Sequence, residues 1–172
     1  MNIDNQIIEF IVDNRIEFLN PVFVLISHLG DLMIIWIVLT LVLLITNKKL
    51  KLLKVFLAAY LANFLLVELI LKHLISRPRP FIDNNVIEIL IHYTPVSSSM
   101  PSGHASSSFV AATMLAYYFP KYRVLFFILA GLIAFSRVYV GVHYLSDIIF
   151  GAAVGILVAL VTIYITKKIT RS

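Results

Sequence analysis

The chain is expected to be all-α: an integral membrane bundle of about five transmembrane helices preceded by an interfacial amphipathic helix. Three observations carry this expectation. Of its 172 residues, 60% are hydrophobic and only 13% charged, against about 45–50% and about 25% in soluble domains, so too little polar material remains for a water-facing surface. The apolar residues gather in runs close to the roughly 20 that a helix needs to cross a bilayer. Lysine and arginine collect in the short breaks between those runs. The mean hydropathy of +0.97 agrees, and the length suits a single domain over residues 1–172.

At the start, Ile3, Ile7, Ile8, Phe10, Ile11 and Leu19 alternate with Asp4, Glu9, Asp13 and Glu17 at helical spacing. Residues 1–20 are therefore expected as an interfacial helix too polar to cross. Those acids, with Arg15 the only base among them, exclude a secretory n-region, so the segment is expected to stay on the mature protein. Residues 32–46, lengthened by the apolar stretch 21–29, make the first span, and Lys48, Lys49, Lys51 and Lys54 form a basic turn after it. Residues 55–71 make the second, with Glu68 inside it.

From Lys72 the pattern breaks at Pro78, Pro80, Pro95 and the serines 97–99. A long loop over 72–103, with an apolar middle at 86–91, is expected to carry part of a site, because long loops in compact domains are usually functional. Residues 104–119 give a third span ended by Pro120, Lys121 and Arg123 mark a turn, and residues 124–135 give a fourth. Gly141 separates it from the last, 144–165, after which Lys167, Lys168 and Arg171 close the chain.

Five spans put the 47–54 turn, the 120–123 turn and the C-terminus on one side, with nine Lys and Arg and no Asp or Glu. The positive-inside rule makes that side cytoplasmic. The N-terminal helix, the long loop and the 137–147 turn are then expected on the outer face of a bacterial-type plasma membrane. Absent cysteine excludes disulfides, thiolate metal sites and a cysteine nucleophile. The basic residues form no soluble stripe, which argues against nucleic acid as a partner.

The outer side gathers Lys72, Arg77 and Arg79 at the end of span two, Ser102 and His104 at the start of span three, and Arg137, His143 and Asp147 between spans four and five. Ionisable groups at membrane depth are functional by default, and four cations with one nearby acid call for an anion. Pro101, Ser102 and Gly103 ahead of an apolar run place unpaired N–H groups at a helix N-terminus, and Gly103 lets a ligand approach the backbone. Lys72, Arg79 and Arg137 supply the countercharge a phosphoryl group needs. His143 and Asp147, at i and i+4, let the carboxylate accept from one ring nitrogen while the other faces phosphorus, as a nucleophile would.

Blander readings stand beside these. His143 with Asp147 could be a polar pair fixing helix packing, and His104 a helix-end residue. Arg77 could snorkel to the interface or touch substrate. Glu68, four residues before Lys72, is expected to hold the lysine rather than to catalyse. His28, with Gly30 and Asp31, could cap a helix or line a lipid entrance, and Asp83 and Glu88 read as solvated loop charges.

In order, Lys72-x6-Arg79-Pro80, Pro101-Ser102-Gly103-His104 and Ser136-Arg137-x5-His143-x3-Asp147 resemble the three signature elements of the type 2 phosphatidic acid phosphatase (PAP2) superfamily of membrane lipid phosphatases. No signature position departs. The resemblance implies a PAP2/haloperoxidase-like helical core and a phosphohistidine formed on His143, oriented by Asp147. It makes His104 the general acid and then the base, with Arg137 and Ser102 on the non-bridging oxygens. It implies no metal and no other cofactor. The implied partner is a lipid phosphate or diphosphate drawn from the membrane lipids. Small bacterial undecaprenyl-diphosphate phosphatases are nearest in appearance; phosphatidylglycerophosphate, phosphatidate and lipid A 1-phosphate are competing substrates. A phosphate or phospholipid transporter is the alternative of a different class, disfavoured because no inverted repeat is visible.

Overall fold

A computed structural model describes residues 3–84 and 87–170 of the chain. Met1 at the head of the first helix, Val86 in the long loop and the terminal base Arg171 lie outside the described residues. Among the described residues, every regular element is helical. The helices are α1 (Ile3–Asp13), α2 (Asn20–Leu29), α3 (Ile34–Thr46), α4 (Leu53–Phe64), the short α5 (Lys72–Ile75) and α6 (Pro80–Asp83), α7 (Gly103–Tyr118), α8 (Arg123–Tyr139) and α9 (Leu145–Ile169).

The segments Leu50–Asp83, Pro120–Tyr139 and Leu145–Ile169 are each long and apolar enough to cross a bilayer, and Glu17–Leu29 with Asp31–Thr46 qualify together as a pair bent by 59°. α7, at 16 residues, spans about 24 Å and forms the centre that the others surround. Its buried face is mostly small, with Ala105, Ser106, Ser108, Ala111 and Ala112 beside the larger Val110, Met114 and Leu115. Around the outside, Val42, Leu57, Leu61, Leu125, Ile128, Leu157 and Leu160 are exposed, an apolar surface that only lipid accommodates at this extent.

The seam between α7 and α9 is the tightest in the bundle. A Cβ at Gly151 would stand 2.6 Å from the Ser102 carbonyl oxygen, and one at Gly155 would overlap the Ser106 carbonyl oxygen. Two glycines four residues apart thus bring the helix backbones together, as small residues do at membrane helix interfaces. Buried polar contacts add direction: Trp36 Nε1 donates to Ser108 Oγ at 2.9 Å, and Ser106 Oγ to Asn63 Oδ1 at 2.5 Å.

Four expected boundaries change. The N-terminal helix ends at Asp13 instead of continuing to residue 20, and α2 begins at Asn20 with Pro21 in its first turn, where a missing N–H costs nothing. α1 is docked by Ile8, fully buried beside Val138, Tyr144 and Ile148. The first span is broken at Gly30, where a Cβ would stand 2.6 Å from both His104 and Ile133, and Leu32 and Met33 follow with left-handed φ of 50° and 58°. The second span continues as a π-helix over Leu65–Leu71 and then as α5, so Lys72 stands on a helix and not in the loop. α8 runs on to Tyr139, and the turn beyond it needs Gly141, whose φ is 88°.

The basic turns share one end. Lys49 Nζ donates to the Tyr118 carbonyl oxygen at 3.1 Å, and Lys167 lies 4.7 Å over the Tyr117 ring; tyrosines of this kind are enriched at membrane interfaces. Gly155→Leu, which forces a side chain into the α7 backbone, should cost about 3 kcal/mol or more. Thermal unfolding in detergent measures it, and Gly131→Leu, at a glycine with nothing within 4 Å of its Cβ position, is the neutral control.

Candidate active site

At the end of the bundle opposite those turns, three elements bring cations inward. Lys72, Arg79 and Arg137 are 8%, 3% and 2% exposed. Lys72 Nζ donates to Glu68 Oε2 at 2.9 Å, and the π-helical segment carries that glutamate. Arg79 lies just ahead of α6 and is held by carbonyls: Nε donates to Ser97 O at 2.8 Å and Nη1 to Val142 O at 3.0 Å. Arg137, in the last turn of α8, donates from Nη1 to Ser27 Oγ, and its Nε is buried without a partner. Among the described residues neither arginine has a carboxylate partner.

These cations line a cavity of about 440 Å³ together with Glu68, Gly103, His104 and His143. His143 occupies the turn between α8 and α9, with Nε2 3.3 Å from Arg79 Nη1 and Nδ1 3.4 Å from Asp147 Oδ2. The guanidinium can only donate, so Nε2 carries the lone pair and Nδ1 the proton. Burial pushes the His143 imidazole down to about 3, the two arginines adding to the effect and Asp147 opposing it.

Asp147, in the first turn of α9, is fully buried. Its Oδ2 accepts from Ser99 Oγ at 2.5 Å and from the Tyr144 N–H at 2.9 Å, capping the helix, and its Oδ1 accepts from Arg77 at 2.7 Å. Arg77 is therefore neither a snorkelling anchor nor a lining residue of this cavity. Its other nitrogen pairs with Asp4 of α1 at 2.8 Å, and the guanidinium lies 4.1 Å over the Tyr144 ring.

Ser102 is fully buried at the N-cap of α7, its Oγ accepting from the Ala105 N–H at 3.4 Å and its own N–H donating to Asp147 O at 3.1 Å. Its hydroxyl shapes the helix start and does not line the cavity. Asp83 is exposed, as expected of a solvated charge, and also accepts from Tyr144 OH at 3.1 Å. The Gly103 backbone does face the cavity, with Glu68 Oε1 where a Cβ would come within 2.5 Å.

Residues 51–171 match the PAP2 superfamily. The chain belongs to that superfamily. An undecaprenyl-diphosphatase from Sulfolobus acidocaldarius is 32% identical over 93% of this chain and 77% of its own length. A lipid A 1-phosphatase from Rhizobium etli is 38% identical over half of this chain, which spans 38% of that relative. The crystal structure of a transmembrane PAP2-type phosphatidylglycerolphosphate phosphatase from Bacillus subtilis superposes with a TM-score of 0.76 at 28% identity, covering 96% of this chain and 85% of that one. The chain is thus an integral membrane PAP2 lipid phosphatase, a hydrolase of phosphoester or diphosphate bonds.

Asp31, expected with His28 and Gly30 only as part of a helix cap or a lipid entrance, instead reaches a signature histidine. Asp31 Oδ1 lies 2.9 Å from His104 Nε2 and its Oδ2 2.8 Å from His28 Nδ1. Its sequence signal was an acid beside Gly30 and three residues after His28 in an otherwise apolar run. Ser97 and Ser99, which serve Arg79 and Asp147, were likewise read only as loop residues.

His143 ties stability to pH. The unfolded ring takes up a proton near its ordinary 6.5 and the folded ring only near 3, so its share of stability is intact above about pH 6.5 and is lost progressively as pH falls toward 3. Thermal midpoints in detergent between about pH 7 and pH 4 should therefore fall, and the fall should be shallower in His143→Gln.

Proposed function

We propose that this PAP2 chain removes the terminal phosphate of a lipid phosphate or diphosphate through a phosphohistidine on His143. The observation that carries the reading is the pair of buried guanidinium groups, Arg79 and Arg137, that lack a carboxylate and line one cavity with His143. Buried charge without a partner is costly, and a phosphate dianion supplies what is missing.

The neutral Nε2 of His143 attacks phosphorus. The bond from that phosphorus to the oxygen of the departing lipid alcohol or lipid monophosphate breaks, and that oxygen takes a proton from His104. Arg79, Arg137, Lys72 and the first turn of α7 at Gly103 bear the charge on the non-bridging oxygens. Ser102 contributes by capping that turn. Asp147 faces the Nδ1–H of His143 and stabilises the charge on the phosphorylated ring. Once the lipid has left, His104 takes a proton from water, the hydroxide attacks phosphorus, and the N–P bond breaks to return its electron pair to His143.

The lipid tail approaches sideways past Leu32, Met33, Phe64 and Val67, the apolar part of the cavity lining. Undecaprenyl diphosphate is the proposed native substrate, supported by the length over which the Sulfolobus undecaprenyl-diphosphatase matches. A side-by-side assay with phosphatidylglycerophosphate, phosphatidate and lipid A 1-phosphate ranks it by kcat/KM, and a higher value for any of these displaces it. Phosphate release from such a lipid in detergent should continue with EDTA present. Binding without release would favour a transporter.

His143→Ala should lose about 10⁴-fold or more in kcat together with any acid-labile phosphoenzyme. Near wild-type turnover in this variant would remove the nucleophile. The active site is proposed on the extracytoplasmic face of the plasma membrane, with the C-terminus cytoplasmic. In this cysteine-free chain, a single cysteine at Ser98 should react with an impermeant reagent in intact cells and one at Lys168 should not; the reverse pattern inverts the topology.

A further inference from the structure

We infer that Asp31 is a positioning residue for the proton-transfer step, holding His104 by Nε2 so that Nδ1 serves the leaving oxygen. The inference rests on the acid role proposed for His104 above. Its independent support is the geometry around the ring. Asp31 Oδ1 accepts from His104 Nε2 at 2.9 Å and from Tyr93 OH at 3.2 Å, while Oδ2 faces His28 Nδ1 at 2.8 Å. Of the two His104 nitrogens, Nδ1 has no hydrogen-bond partner among the described residues, and the ring lines the same cavity as His143 and Arg137.

The bend in the first span is shaped around this contact. Gly30 lacks the Cβ that would stand 2.6 Å from His104 Cδ2, so the ring lies directly against the backbone next to Asp31. Leu32 and Met33 then turn left-handed, which carries the chain from the site into α3. A straight helix would have no reason to spend two non-glycine residues at positive φ.

The charges facing His104 explain why an acid needs this partner. Lys72 and Arg137 act on the ring as cations, and Arg79 and His143 line the same cavity. Glu68, beside Gly103, is committed to Lys72. Asp31 is the carboxylate that contacts the ring, and it offsets those cations. In the transfer itself the proton leaves Nδ1 for the lipid oxygen as the P–O bond breaks. The Nε2–H stays donated to Asp31, which remains ionised, and the ring ends neutral in the tautomer suited to accept a proton from water.

The test is leaving-group dependence. Asp31→Asn is assayed on a long-chain alkyl phosphate, whose alkoxide needs a proton, and on p-nitrophenyl phosphate, whose phenolate leaves without one. A positioning role predicts that kcat/KM, which covers the steps up to phosphoenzyme formation and leaves out the water step common to both substrates, falls about 10- to 100-fold on the alkyl phosphate and less than about threefold on p-nitrophenyl phosphate, with partial recovery in Asp31→Glu. Equal losses on both substrates, or a rise in KM alone, overturn it.

His104→Ala is run on the same pair. If it shows no discrimination, the acid assignment of His104 fails; if it discriminates and Asp31→Asn does not, only the role of Asp31 fails. Should Asp31→Asn not fold, Gly30→Ala, whose methyl displaces the His104 ring from Asp31, takes its place. Discrimination by leaving group supports the inference there, and its absence overturns it.

Discussion

The organisation of this site follows from one cost, the removal of Arg79 and Arg137 from water without a carboxylate beside either. The effective penalty for burying an ion is several kcal/mol even after relaxation. The protein offsets part of it with backbone and hydroxyl oxygens: Ser97, Ser98 and Val142 carbonyls around Arg79, and Ser27 at Arg137. Neutral acceptors satisfy hydrogen bonds without cancelling charge. The carboxylates of the neighbourhood are committed elsewhere, Glu68 to Lys72, Asp147 to Arg77 and Asp31 to the two histidines. The positive potential is thereby kept for the cavity, and the loop that supplies Ser97, Ser98 and Ser99 is explained by what it holds in place.

That charge is useful only if both histidines face it, and they come from separate elements. The seam between α7 and α9 sets their separation. Gly151 and Gly155 remove the side chains that would hold the helices apart, and the Ser102 N–H reaches the Asp147 carbonyl across the gap. The start of α7, with His104, is thus fastened to the first turn of α9, with Asp147 and His143 just before it. Because lipid gives little hydrophobic drive for helix association, close backbone approach and buried polar contacts do this work in place of apolar burial.

The residues that meet at the cavity, Lys72, Arg79, His104, Arg137 and His143, and Asp147 behind His143, were legible because the motifs keep these residue types in order. The spans were legible as apolar runs, but hydropathy measures length and carries no direction, so the bend at Gly30 was invisible. Arg77 stayed ambiguous since its partner Asp4 lies 73 residues away in the chain, on a helix whose docking depends on the buried Ile8. Asp31 was hidden for the same reason, with His104 also 73 residues on. The Gly-x-x-x-Gly of the last span, Gly151 to Gly155, is legible in the sequence as a signal of close helix packing.

The two histidine–aspartate pairs are built differently, and the difference has a consequence. Asp147 is fully buried and already receives Ser99, the Tyr144 N–H and Arg77, so its carboxylate is rigid and well stabilised as an anion. His143 turns Nδ1 toward Asp147 at 3.4 Å without a hydrogen bond between them, and presents Nε2. Asp31 has a side chain 30% exposed and sits on a bend, and it holds His104 through the opposite nitrogen, Nε2. The residues that follow it, Leu32 and Met33, line the apolar side of the cavity. On the proposed reading, contacts made by a lipid tail at Leu32 and Met33 and the orientation of His104 by Asp31 therefore depend on the same three consecutive residues. A distortion of the bend must disturb both, whereas the Asp147 pair, anchored in the α9 cap, is insulated from the tail.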